Sequence, residues 1–222
     1  MRKILFQNGE YYHIFNRGVD RRDIFCDDND YIRFIRSMRE FNIAKPIGSL
    51  YEKDYCKKNI KAQGIEFPIG NSIPSGRLVK IIAYCLNGNH YHLLVEQSRE
   101  NGIVKFFQKL GIGYTNYFNL KYNRKGSLFE GKFKAIQIKF EGQFIQLSAY
   151  INTNPEIHKF HKAEKWPWSS YQDYLNIRNG TLCDKNVILK HFNRLGEYSK
   201  LTNYIIKESQ DLKSELKECM LE

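Results

Sequence analysis

The strongest local signal in this sequence is a pair of apolar runs joined by a tight turn. RLVKIIAYCLN (77–87) and HYHLLVEQ (90–97) are rich in β-branched, aliphatic and aromatic residues, and an Asn-Gly step connects them. Such a step between two runs of this kind is the strongest short-range indication of a β-hairpin. The sequence therefore predicts two neighbouring antiparallel strands over these residues.

The predicted hairpin lies in the middle of a repeated strand–helix–strand order. Hydrophobic periodicity and N-cap candidates place the other elements. In chain order the predictions are strand 11–18, helix 31–43, the hairpin, helix 101–122, a strand that follows a Gly-containing basic turn within 123–140, and helix 141–154. This order predicts an α+β fold: a ferredoxin-like antiparallel sheet with helices on one face, and with the first and third strands as central neighbours.

Prolines and glycines set further limits on these elements. Pro155 is expected to end the last helix, because the residue before a proline disfavours the α conformation. Gly111 and Gly113 should each weaken the predicted helix 101–122 by about 1 kcal/mol relative to alanine. Three prolines and the absence of a sustained period predict a long connection or insertion over 44–78.

Charge and cysteine content narrow the class of protein. The chain has 222 residues and a formal net charge of +11, which favours an anionic partner, and nucleic acid is the commonest one. Its five cysteines are scattered and include no CxxC pair, so neither a disulfide framework nor a cysteine zinc site is expected. We expect no secretion signal and no membrane span, and hence a cytoplasmic protein.

Two histidines lie at the start of the second hairpin strand. Because side chains alternate along a strand, His90 and His92 share one face, with Cα atoms roughly 6.6 Å apart. Two imidazoles at that spacing can converge on one metal ion. The alternative is a pair of half-exposed surface histidines, and the HxH pattern alone does not decide between them.

The last predicted helix offers two further polar groups on one stripe. Tyr150 and Asn154 are four residues apart and therefore lie on the same side of a helix. An asparagine oxygen can be a third hard ligand, and a tyrosine hydroxyl beside a metal can be a nucleophile. Alternatively, Asn154-Pro155 is only a helix stop and Tyr150 an ordinary half-buried aromatic residue.

Five stretches, in order over residues 11 to about 175, resemble the single-tyrosine HUH transposases of the insertion-sequence-200-like class, especially those associated with repetitive extragenic palindromes. The stretches are YHIFNRG (12–18), HYH (90–92), RKGSLFEGKFK (124–134), YINTNP (150–155) and WPWSSYQDY (166–174). One departure is Gly88, where the family usually has proline.

The resemblance implies a set of site residues. His90, His92 and Asn154 would bind a divalent metal, Mg²⁺ or Mn²⁺, and Tyr150 would be the catalytic nucleophile. Tyr114 and Tyr117 are rival tyrosines, disfavoured because Tyr114 is followed at the same spacing by a phenylalanine. His13 is expected on the neighbouring strand and not as a ligand, and His158 and His161 are expected at the surface.

The resemblance also implies an activity and a partner. The expected function is cleavage and rejoining of single-stranded DNA near hairpins through a 5′-phosphotyrosine, by a monomer or homodimer. Cations near turns are candidates for DNA binding, and they are Arg17, Arg21, Arg22, Arg124, Lys125, Lys132 and Lys134. We predict a catalytic domain over 1–175 and a helical C-terminal extension over 176–222.

Two other functions are alternatives to this one. A domesticated protein of the same fold could bind a DNA hairpin without moving any element, and the intact Tyr150 argues against that without excluding it. A phosphoesterase with paired HxT or HxS motifs needs two histidine motifs, whereas the chain has a single HxH pair.

Overall fold

The computed structural model of the chain describes residues 4–44, Leu50 and residues 76–219. These residues form a sheet of four strands, which are Tyr11–Arg17 (β1), Val79–Asn87 (β2), His90–Gln97 (β3) and Lys134–Ile138 (β4). The strands pair antiparallel in the order β2-β3-β1-β4. The ferredoxin-like sheet is therefore confirmed, with the first and third strands as central neighbours.

The described helices follow the predicted order and continue into the C-terminal region. They are Asp28–Glu40 (α1), Gly102–Lys121 (α2), Glu141–Ile157 (α3), Tyr171–Tyr174 (α4), Asn186–Leu189 (α5) and Leu195–Cys219 (α6). At the start of α1 the Asp27 carboxylate accepts a hydrogen bond from the Asp30 main-chain nitrogen at 3.1 Å. Asp27 is therefore the N-cap of this helix.

Strand β4 lies near the end of the stretch 123–140, where residues 134–138 pair with β1. The residues before it include Gly126 and Gly131, whose φ angles are +87° and +70°. Glycine adopts this left-handed conformation without steric cost, but an extended strand cannot continue through it. The segment therefore forms turns beside the sheet.

Helices α1 and α2 cover one face of the sheet, as predicted. Tyr12, Ile14 and Leu93 point from the sheet into this core, and Phe34 of α1 and Leu110 of α2 meet them; all five are buried. Burial of side chains of this size contributes about 1.5–3 kcal/mol each, which is ample to hold two helices on the sheet.

The opposite face, which we expected to be open, is partly covered. Helix α3 packs over β2 and β3, and a second core forms there around Leu94, Cys85 and Ile151. Helix α6 packs in turn on α3, where the Tyr198 hydroxyl accepts a hydrogen bond from the Asn152 amide at 2.7 Å. The C-terminal region thus adds to this core, while the domain division at residue 175 stays a prediction.

Helix α3 continues through Pro155, so the prediction that Pro155 ends it is wrong. The helix ends at Ile157, which places the proline in its last turn. A proline there removes one main-chain donor, and Pro155 and Ile157 are both buried, which offsets that loss. The extra turn carries the chain back toward the end of the sheet.

The connection predicted over 44–78 lies mostly outside the described residues. Among the described residues, no helix is long and apolar enough to cross a lipid bilayer. The described cysteines Cys26, Cys85 and Cys183 form no disulfide with one another.

Candidate active site

A cavity of about 470 Å³ lies on the α3 side of the sheet, at the ends of β1 and β3. Strand register brings its residues together: Phe15 pairs with His92, and Arg17 pairs with His90. The cavity is lined by Phe15, Asn16, Arg17, Arg21, Asn89, His90, Tyr91, His92, Lys134, Tyr150, His158 and Phe160. Both histidines of the HxH pair and the predicted nucleophile therefore face one space.

The protonation of His90 follows from its neighbours. The side-chain N–H of Asn89 donates a hydrogen bond to the Arg21 main-chain oxygen at 3.1 Å. This bond orients the Asn89 side-chain oxygen toward His90 Nδ1, which lies 2.6 Å away. His90 Nδ1 therefore carries the proton and donates it to Asn89. The lone pair of His90 Nε2 remains for an acceptor role, and it accepts a hydrogen bond from the Asn87 amide at 2.9 Å. A histidine ligand needs this kind of fixed tautomer.

His92 lies between other imidazoles. Its Nδ1 is 2.9 Å from Nε2 of His13 on the adjacent strand, and the two rings stack with centroids 5.1 Å apart. Burial lowers the pKa of His13 to about 4. Burial, followed by the nearby His13, His90 and His158, also lowers the pKa of His92 well below its usual range. Both imidazoles are therefore neutral at pH 7, the form in which histidine binds metals.

Tyr150 reaches the cavity from α3. Its ring is roughly perpendicular to that of His92, with centroids 6.3 Å apart. Burial raises the pKa of the Tyr150 phenol, while the neighbouring Asn154 amide acts in the opposite direction. The hydroxyl is thus protonated at neutral pH and needs assistance to act as a nucleophile.

The two rival tyrosines lie on the other face of the sheet. Tyr114 is fully buried in the α1–α2 core and donates its hydroxyl proton to the Ile24 main-chain oxygen at 2.5 Å. Tyr117 donates to the Asp30 carboxylate at 3.0 Å. Neither hydroxyl lines the cavity, so Tyr150 is the tyrosine of these three that shares a space with the histidines.

Asn154 joins the site through a second asparagine that the sequence analysis missed. The amide nitrogen of Asn87, at the end of β2, donates to Asn154 Oδ1 at 2.7 Å as well as to His90 Nε2. Asn154 is fully buried, and its own amide nitrogen has no hydrogen-bond partner among the described residues. Two potential ligand atoms thus converge on one point.

The chemistry of the residues present fits a divalent cation. No group of three or more His, Cys, Asp or Glu side chains able to hold a metal occurs in the described part of the chain. A centre here would instead use two imidazoles and the oxygen of the buried Asn154 amide. Imidazole nitrogen and amide oxygen are both ligands that Mn²⁺ accepts.

Three of the seven predicted DNA-binding cations lie at the cavity, and the other four do not. Arg17, Arg21 and Lys134 line the cavity, although Arg17 is also paired with Glu130 at its rim. The other four do not line the cavity. Lys132 lines a separate groove beside α2, and Lys125 is exposed to solvent. Arg124 donates a hydrogen bond to Asn119, and Arg22 donates one to the Val19 main-chain oxygen.

His158, which was expected at the surface, is partly buried. It lines the cavity, with its ring centroid 6.0 Å from that of His90. The sequence did contain the signal, because Tyr150, Asn154 and His158 are spaced by four and form one helical stripe. Ending the helix at Pro155 concealed it. His161, by contrast, is exposed and stacks on Trp166, as a surface residue.

Comparison with known proteins points to one family. Residues 51–154 match the family model described as "Transposase IS200 like". Over this range the chain is similar to the IS200-like transposases, and the range includes the HxH pair, Tyr150 and Asn154. No curated protein matches the sequence significantly.

Solved structures match the fold of the chain. One of seven matching chains is a REP-associated tyrosine transposase bound to a REP hairpin, with a TM-score of 0.54 and 13% sequence identity. The match covers 83% of this chain and 93% of the other. At that identity the likeness concerns the fold.

Proposed function

We propose that this chain is a metal-dependent transposase that cleaves and rejoins single-stranded DNA beside hairpins, with Tyr150 as the nucleophile. The observation that carries the proposal is the convergence of Tyr150 with His90 and His92 on one cavity, while Tyr114 and Tyr117 are directed elsewhere. The family match supports transposition, and the hairpin-bound structural neighbour supports a hairpin substrate.

The proposed reaction conserves the energy of the broken bond. Tyr150 Oη loses its proton and attacks the scissile phosphorus, forming a P–O bond, while the bond from phosphorus to the departing 3′ oxygen breaks and that oxygen takes up a proton. The product is a 5′-phosphotyrosine, from which another 3′ hydroxyl can reclaim the phosphate. No external energy source is required, because a phosphodiester is exchanged for a phosphodiester.

His90, His92 and Asn154 are proposed to hold the divalent ion, Mg²⁺ or Mn²⁺. Such an ion, when bound, would polarise the phosphate and offset the charge on the departing oxygen. The lowered pKa of His92 and the tautomer fixed on His90 by Asn89 prepare these two side chains for that role.

The cavity wall is suited to an unpaired strand. Arg17, Arg21 and Lys134 place positive charge where the phosphate would enter. Phe160, with 58% of its surface exposed, stacks on His158 at the rim and offers a face to an unpaired base. Paired, stacked DNA would resist the distortion needed to bring its phosphate to Tyr150.

The test is a covalent-adduct assay with a single-stranded hairpin taken from beside the gene. Wild-type protein with Mn²⁺ should give a protein–DNA band that survives denaturation, and chelator should remove it. Tyr150→Phe should give no adduct while binding the hairpin within a few-fold of wild type, because only the hydroxyl is lost.

Tyr117→Phe is the matched control, since it removes a hydroxyl from a partly buried tyrosine outside the cavity. It should form the adduct normally. An adduct that persists in Tyr150→Phe would disprove the assignment. Tight hairpin binding by wild type without an adduct under any metal would favour the domesticated binding protein.

A further inference from the structure

Asn87 occupies a central position among the proposed metal ligands. It is the last residue of β2, 1% exposed, and pairs with His90 across the hairpin. Its amide nitrogen lies 2.9 Å from His90 Nε2 and 2.7 Å from Asn154 Oδ1. On the other side, the Cys85 thiol donates to Asn87 Oδ1 at 3.5 Å.

The hydrogen bond to His90 Nε2 uses the one lone pair that a metal ion would need on that nitrogen. His90 Nδ1 carries the proton, so the acceptor lone pair of this ring lies on Nε2. That lone pair accepts the hydrogen bond from the Asn87 amide. A cation binding to His90 Nε2 and Asn154 Oδ1 must therefore displace the Asn87 N–H groups. The arrangement seen here cannot coexist with that ion.

A half-turn of the Asn87 amide resolves this conflict. It exchanges the positions of the amide nitrogen and oxygen and brings a hard oxygen ligand to the point where His90 and Asn154 converge. The 2.7 and 2.9 Å separations are close to the roughly 2.9 Å expected between adjacent ligand atoms of an octahedral ion with bonds of about 2.05 Å. After the turn, the amide nitrogen faces Cys85 sulfur, which can accept weakly.

We propose that Asn87 is a fourth protein ligand of the divalent ion, and that its amide turns from hydrogen-bond donor to oxygen ligand when the ion binds. This rests on the proposed metal centre of His90, His92 and Asn154 and adds a residue that lies outside the HxH and YINTNP motifs.

The test is calorimetric titration of the full chain with Mn²⁺ in the absence of DNA. Asn87→Leu, which has a similar shape and no amide, should weaken Mn²⁺ binding by about tenfold or more. Asn87→Asp, which places a carboxylate oxygen at the same position, should bind Mn²⁺ at least as tightly as wild type. Wild-type or tighter binding by Asn87→Leu would overturn the proposal, because the amide would then only compete with the ion.

A matched control separates ligation from folding. Asn42 is another buried asparagine, 6% exposed, at the opposite end of β2, where it bonds to the main chain of Leu78 and Val79. Asn42→Leu should lower the melting temperature without changing Mn²⁺ affinity. If it weakened Mn²⁺ binding as much as Asn87→Leu does, a general loss of structure would explain both, and the proposal would fail.

The same titrations distinguish this proposal from the proposed function. If His90→Ala loses Mn²⁺ while Asn87→Leu keeps it, Asn87 is not a ligand and the metal centre stands. If wild type binds Mn²⁺ through Asn87 but forms no DNA adduct, the ligand assignment stands and the cleavage proposal fails. If wild type binds no Mn²⁺, both fail.

Discussion

The chemistry proposed for this chain depends on which nitrogen of each histidine carries a proton. For His90 the choice is made by Asn89, whose own orientation is set by its bond to the Arg21 main-chain oxygen. For His92 the position of the proton is linked to that of His13, because the hydrogen bond between His92 Nδ1 and His13 Nε2 needs one donor and one acceptor. If His92 donates that hydrogen, its Nε2 is free to bind a metal. The residues next to the proposed ligands thus decide whether those ligands are available.

We therefore expect Asn89→Ala to weaken Mn²⁺ binding by about tenfold, because His90 would lose the acceptor that fixes its tautomer. Asn89→Asp keeps an oxygen at this position and should retain binding near the wild-type level. Mn²⁺ titration of both variants without DNA measures this. Equal binding by wild type and Asn89→Ala would show that the tautomer of His90 is set in another way.

At the scale of elements, two helices differ from what their sequences suggest in isolation. Helix α3 passes through Pro155 because its last turn is buried, and this brings His158 to the cavity. Helix α2 passes through Gly111 and Gly113 because its other residues pack on the sheet and on α1. The two glycines of α2 nevertheless have different surroundings, which a matched pair of substitutions can reveal.

Gly111→Ala should stabilise the protein by up to about 1 kcal/mol, because alanine favours the helix and a Cβ there meets no atom within 4 Å. Gly113→Ala should destabilise it, since the new Cβ would lie 2.6 Å from Cε2 of the buried Phe41. Overpacking of this kind costs about 1–3 kcal/mol. Urea unfolding of both variants measures the difference, and equal effects would contradict the packing described for α2.

At the scale of the whole molecule, the positive charge has to be judged by its position. The chain carries a formal net charge of +11. Of the seven cations predicted to contact DNA, Arg17, Arg21 and Lys134 line the cavity. Cations next to the cavity can act on a phosphate that enters it, whereas those elsewhere can contact only more distant parts of a long substrate.

Hairpin binding should therefore weaken steeply with salt. If roughly five phosphates of a single strand are neutralised, log K should fall with log salt at a slope of about −3.5. Lys134→Ala should make the slope shallower by about 0.7 if this lysine contacts one phosphate. Fluorescence anisotropy over a salt series measures both slopes. A flat response in wild type would point to a partner other than nucleic acid.

Local features of this protein could be predicted from the sequence alone. The hairpin of β2 and β3, the shared face of His90 and His92, and the Tyr150–Asn154 stripe follow from side-chain alternation and helical spacing. These depend on neighbouring residues along the chain, and five motifs in order added the family resemblance. The strand order followed from the sequence of elements, since few topologies satisfy it.

Only the tertiary structure decided which distant residues complete the site. Asn87 and His13 lie beside the proposed ligands because of the register of β2 and β1 against β3, which no local pattern specifies. His158 depends on the burial of a helix turn that proline alone would discourage. Tyr114 was removed from consideration by the face on which its helix packs. Local spacing fixes what shares a face, whereas register and burial, which arise from contacts between remote segments, fix what that face meets.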